Sequence, residues 1–397
     1  MVEFTGQSPT FAEVAREHVL NLRDLYVELL GAVGAPSSPA AVGEALGIDV
    51  QLAWRVRRFA DAVDPLSVVA AIPTVGEAES IVDAALRRGV RARLLESLVD
   101  GTRAFDGFVL RNAESRDTFD AQITSLIGRD QSAVQLEARR AAFRANAVIK
   151  GRFCSSSVMV YGLAPGSREG LYSSFSVCGA VGLQRIRPEA SLLLAHLHME
   201  ADEDDPGNGP QPLDPATSAR FGAPLIGEFT SSRLAEAVEI EARASNLAVT
   251  LADSELGSIG AVTYMFGHRM LDFAWTNEHI WCELGANTPT KQLAIEFLVD
   301  ERLPYGPADF RVVTDHDALR NWPDPLGPDS VVHCGRLHDL GRDLTQQDPS
   351  TWERLSELSR WSVDRMGWDP THLRRYRLVV EHPLLCSIAR VRCTRNR

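Results

Sequence analysis

The chain has 397 residues, 45% hydrophobic and 24% charged, a length that allows two or three domains with their own cores and a balance that excludes a disordered chain. Its formal net charge of -12 excludes overall attraction to phosphates, so any nucleic-acid contact must rest on a local basic patch. The first residues lack the basic start and apolar centre of a secretory signal, and no apolar run is long enough to span a bilayer; a cytoplasmic protein without membrane contact is expected.

From Phe11 to Leu30, the residues Phe11, Val14, His18, Leu22, Leu25 and Leu29 recur at helical spacing and predict one long amphipathic helix. This helix is a candidate for pairing two subunits. The Gly/Pro-rich stretch that follows breaks it. Ser38 before Pro39 then marks a new start, with a hydroxyl to cap free amides and a proline at the first helical position. A short helix to Leu46 is expected.

Gly47 supplies the positive backbone angle that ends this helix, and Asp49 caps the next, from about Val50 to Val63. In it Leu52, Ala53, Val56, Phe59 and Val63 form an apolar stripe, with Ile48 plugging the turn. Gln51, Trp54, Arg55 and Arg58 are left on the outer face, with Arg57 at its border. Arginine can donate two hydrogen bonds to guanine and glutamine can pair with adenine, while both can bind phosphate.

This stretch, Ser38 to Val63, resembles the helix-turn-helix of bacterial transcriptional regulators. The resemblance implies a module that binds double-stranded DNA through Gln51, Trp54, Arg55 and Arg58, in a protein that pairs as a homodimer to reach two half-sites. A winged relative would place a β-hairpin after Val63, but Asp64-Pro65 and further helical signals follow instead. The competing reading is a helical corner with a solvated basic face. It draws on Glu44 and Asp61 nearby, and on the 10 arginines against 15 acidic side chains in residues 1–110.

Thr74, three residues before Glu77, has capping-box spacing, and Gly89 follows Arg87 and Arg88 as a helix end. Helical signals continue to about Arg144. Beyond Lys150, stretches rich in Val, Ser, Thr and aromatics predict strands, and the acidic Pro/Gly-rich segment 200–215 predicts an exposed loop. Helical spacing returns near residues 350–368, and two closing strands follow. The fold class expected is therefore α+β and multidomain: an all-α helix-turn-helix domain over 1–148, then a mixed, strand-rich α+β domain over 149–397 that senses a small-molecule effector or forms an interface. The change near Lys150 is the expected hinge.

The six cysteines carry no C-x-x-C pairing and read as buried small side chains or free thiols. His196, His198 and Glu200 alternate as strand residues do and could line one face around a metal, with a hydrogen-bonded strand face as the plainer reading. Asp315, His316 and Asp317 cannot converge without a turn. The nucleotide-loop, nucleophile-elbow and zinc-helix motifs are all absent, and no cofactor or metal is implied. The alternative to a regulator is an enzyme of unrecognised class whose chemistry lies among His196, His198, Cys334 and His338, the cysteine needing a nearby base and a depressed pKa.

Overall fold

The architecture is mixed α+β, with a helical region followed by a sheet-rich one. The computed structural model describes residues 10–34, 38–128, 132–190, 192–198, 209–232, 234, 238–243, 246–251, 255–314, 332, 334–347 and 351–396. Two compact units divide the chain, Met1–Val134 and Gln135–Arg397.

The first unit is built from α1 (Phe11–Ala32), α2 (Pro39–Leu46), α3 (Val50–Ala60), α4 (Val75–Arg87), α5 (Ala92–Ala113) and α6 (Arg116–Leu126). Thr10 and Glu13 exchange side-chain and backbone hydrogen bonds at the start of α1, and Thr74 and Glu77 do the same at α4, satisfying amides that have no partner inside the helix. Buried on α1 are Ala15, Val19, Leu22, Tyr26 and Leu29, while Phe11, Val14 and Leu25 lie at the margin of the core. The apolar face of α1 packs within this unit, with Tyr26 edge-on to Phe59 of α3 at 5.9 Å. A 3-10 segment, Pro65–Ala71, links α3 to α4. Among the described residues of this unit there is no strand where a wing would stand.

The second unit takes in α7 (Ser132–Lys150) from Gln135 onward. Gly151, at φ 68°, turns the chain from α7 into β1 (Arg152–Pro165), so the change of texture expected near Lys150 falls at this residue. The strands that follow are β2 (Leu171–Arg185), β3 (Leu192–His198), β4 (Gln211–Pro212), β5 (Val238–Arg243), β6 (Asn246–Leu251), β7 (Val262–Ala274), β8 (His279–Gly285), β9 (Thr290–Asp300), β10 (Tyr305–Val313), β11 (Arg336–Gly341), β12 (Leu373–Glu381) and β13 (Ile388–Arg395). The helices α8 (Pro215–Phe221) and α9 (Leu355–Met366) interrupt them. Residues 200–208 of the expected acidic loop lie outside the described residues.

Among the described residues, the largest sheet has the order β11-β12-β9-β1-β2-β7-β4, with β1 and β9 parallel. Alternate residues of a strand face opposite sides, and β9 uses both. Leu293, Ile295, Phe297 and Val299 pack with Ile280, Val312 and Val391 of the small sheet β10-β13-β8. Ala294 and Leu298 pack on the other side with Leu355 and Leu358 of α9. A strand buried on both faces reads as a nearly continuous apolar run, as QLAIEFLV does. The third sheet, β3-β6-β5, joins a further core around Tyr264, Phe266 and Val249.

Candidate nucleic-acid interface

The local signals around Gly47 fold as their chemistry dictates. The Ser38 hydroxyl accepts the Ala41 amide at 3.3 Å, and the Asp49 carboxylate accepts the Gln51 amide at 2.8 Å. Gly47 adopts φ 64°, a conformation that costs an L side chain about 1–2 kcal/mol. Gly43 is needed for closeness: a Cβ there would sit 3.2 Å from the Ile48 carbonyl oxygen and 3.6 Å from Ala53 Cβ. Two short helices therefore meet across a tight turn, and Ala53, Val56 and Phe59 of α3 enter the core. Ile48 and Leu52 are half-buried against it.

One expectation needs correction. Val63 does not extend the buried stripe, because α3 ends at Ala60 and Val63 is 100% exposed. Asp61 terminates the helix and its carboxylate pairs with Arg57 at 2.6 Å, so the chain turns before Val63 could come round to the inner face.

The four outer-face residues divide. Gln51 and Arg58 are exposed, Trp54 is 48% exposed, and the Arg58 guanidinium lies 5.0 Å from the Trp54 ring centre. Arg55 is half-buried. Its guanidinium donates to Glu77 of α4 at 2.6 Å and to the Ile72 carbonyl at 3.0 Å. Although burial opposes it, the Thr74 amide and the Arg55 guanidinium hold the Glu77 carboxyl below its ordinary value. Arg55 thus fastens α3 to the start of α4.

Trp54, Arg55 and Arg58 also border a recess of 340 Å3 with walls from Leu66, Ile123 and Ile127. Asp120 lines it, and burial, with the Asp117 charge, pushes its carboxyl up to about 6 against the opposing effect of Arg116. The outer face of α3 therefore has an exposed end at Gln51 and a concave flank at Trp54 and Arg58.

Of the residues of the enzymatic alternative, the structure describes the side chains of Cys334 and His338. His196 and His198 fall on β3, but their side chains lie outside the described residues, as do Glu200 and the run Asp315 to Asp317. Burial pushes the Cys334 thiol up, with Arg139 opposing, which is the reverse of what a nucleophile requires. His338 is exposed on β11, and Asp339 beside it pairs with Arg374 at 2.6 Å. Among the described residues no three His, Cys, Asp or Glu side chains gather as a metal site would need.

Sequence reasoning missed a buried ionic cluster. Glu296 of β9 accepts from Arg375 Nε at 2.9 Å and from Arg377 Nε at 2.7 Å, and Ser359 of α9 donates to it as well. All four side chains are buried, and Ser356 accepts from both arginines. The signal was present: in LRRYRLVVE two arginines alternate with Tyr376 and Leu378, and a lone glutamate interrupts QLAIEFLV. On paired strands such residues fall on one face, but pairing between segments so distant is not written in either alone.

No protein-family model matches the chain. No curated protein matches it either.

Proposed function

We propose that residues Ser38–Ala60 act as a helix-turn-helix that binds double-stranded DNA, in a cytoplasmic transcriptional regulator whose second unit senses a small molecule. The observation that carries this reading is the division of α3, with Ala53, Val56 and Phe59 buried and Gln51, Trp54 and Arg58 facing outward beyond a glycine turn. Gln51 and Arg58 supply the donors for base edges or phosphates, and Trp54 supplies an apolar surface beside them. Arg55 orients α3 through Glu77 and Ile72. Because the apolar face of α1 is used inside the unit, a homodimer would pair through another surface.

The test is selection of bound sequences from a random DNA pool by the full chain, followed by titration of the selected site at several salt concentrations. The parent should bind selectively. Arg58→Ala should weaken binding and reduce the slope of log affinity against log salt by about 0.9 for a lost phosphate contact. Enrichment of no sequence, or an unchanged affinity and slope in the Gln51→Ala/Arg58→Ala double variant, would overturn the reading.

A further inference from the structure

Positive charge gathers at one place in the second unit of this acidic chain. Beside the start of β9 and the end of β12 lies a surface recess of 450 Å3, walled by Arg140, Lys291 and His382 together with Ser155, Ser156 and Trp352. Arg139 donates to the Glu381 carbonyl oxygen and so joins α7 to the end of β12. Lys291 is one of only two lysines in the chain. Its ammonium lies 5.5 Å from the Phe153 ring centre and has no ion-pair partner among the described residues.

An aromatic run backs Lys291 and takes in His382. Phe153 meets Phe143 edge-on at 5.8 Å, and Phe143 lies 5.2 Å from the His382 ring. The His382 amide donates to the Lys291 carbonyl at 2.8 Å, and its backbone takes the left-handed conformation at φ 45°. The His382 Nδ1 is buried and has no hydrogen-bond partner among the described residues. Two acids stand close by. Glu381 also lines the recess, and Glu137 is shared between Arg140 at 3.6 Å and Arg144 at 3.2 Å.

Two cations, Arg140 and Lys291, with hydroxyls and an imidazole beside them form a field that an anion relieves, and charge-assisted hydrogen bonds then hold it. Trp352 adds a flat apolar wall. We propose that this recess binds a small organic anion whose phosphate or carboxylate group sits among Arg140, Lys291 and His382, with its apolar portion against Trp352. The site names a ligand class for the sensing role above. It rests on the geometry of the second unit alone and stands even if α3 reads no DNA.

The imidazole provides an internal reporter. Burial, then Arg140, Arg139 and Lys291, hold the His382 pKa below its ordinary value, with Glu381 opposing. A bound anion adds a negative charge next to it and should raise that pKa.

Calorimetric titration of the full chain with phenyl phosphate and, separately, with benzoate at matched ionic strength tests the proposal and distinguishes phosphate from carboxylate ligands. At least one probe should bind saturably and raise the His382 pKa followed by NMR. K291Q and R140Q should each weaken it about tenfold, as expected for one lost charge-assisted hydrogen bond, while R220Q should leave it unchanged. Saturation by neither probe, an unmoved His382 pKa in the parent protein, or full affinity in both recess variants would overturn the proposal. None of these outcomes depends on whether DNA is bound.

Discussion

The arginines on α3 of the first unit and those facing Glu296 in the second meet opposite surroundings. In the first, Arg55, Arg57 and Arg58 stay at or near the surface, with partners close in sequence or on the next helix. In the second, Arg375 and Arg377 are buried with Glu296 on a neighbouring strand about eighty residues away. Surface pairs contribute little to stability because water and salt screen them. Inside a core, two guanidiniums around one carboxylate need further hydrogen bonds; Ser356 and Ser359 supply some here, the carbonyls of Asp343 and Gln346 accept from Arg375, and Arg377 Nη1 is buried without a partner among the described residues. The contrast shows that the fate of a charged residue is set by what the chain brings to it.

The largest expected effect breaks this comparison at its buried end. Glu296→Ala leaves two buried cations without their carboxylate and should cost about 3–5 kcal/mol. Hydrogen exchange on the full chain should show the loss in the second unit and leave α1 to α6 protected as before. Replacing all three ionic residues with apolar ones of similar volume should cost much less; an equal cost would mean that packing, not charge, governs the site.

A smaller effect is expected in the helical unit. Val56→Ala removes two buried methyl groups from the inner face of α3 and should cost about 2–3 kcal/mol in denaturant unfolding. The half-buried Ile48 should cost less on the same truncation. A larger loss at Ile48 than at Val56 would show that the turn, and not the helix face, holds the pair together.

The smallest effect depends on pH. The Asp120 carboxyl is raised from 3.8 to about 6 in the folded protein, so between these values the folded state holds a proton that the unfolded state has lost. Stability should therefore fall as pH rises through that window and level off above it. Asp120→Asn should be more stable than the parent at neutral pH, with the gain vanishing near pH 4. A gain independent of pH would show that the side chain acts through its shape and not its charge.

Much of the helical unit was legible in the sequence because its signals are local. Ser38-Pro39, Gly47, Asp49 and the Thr74–Glu77 pair each act within one turn of chain, and each forms the cap or stop it implies. The role of Arg55 was not legible, since nothing near residue 55 says that Glu77 and the Ile72 carbonyl will lie beside it. Val63 was misplaced for a related reason: helical spacing continued on paper beyond the point where Asp61 ended the helix.

In the second unit, alternation and apolar runs marked the strands but not their partners. Periodicity tells which residues share a face, and so composition and spacing by themselves determined the α+β class, the helical start, the capped turn at Gly47 and the onset of strands after Lys150. Only the tertiary structure decided that β1 lies parallel to β9, that Glu296 meets Arg375 and Arg377, and that Lys291 and His382 share a recess with Arg140. Caps and turns are settled by hydrogen bonds a few residues long, whereas strand order and buried charge pairs are settled by which distant segments exclude water together, a choice no single segment encodes.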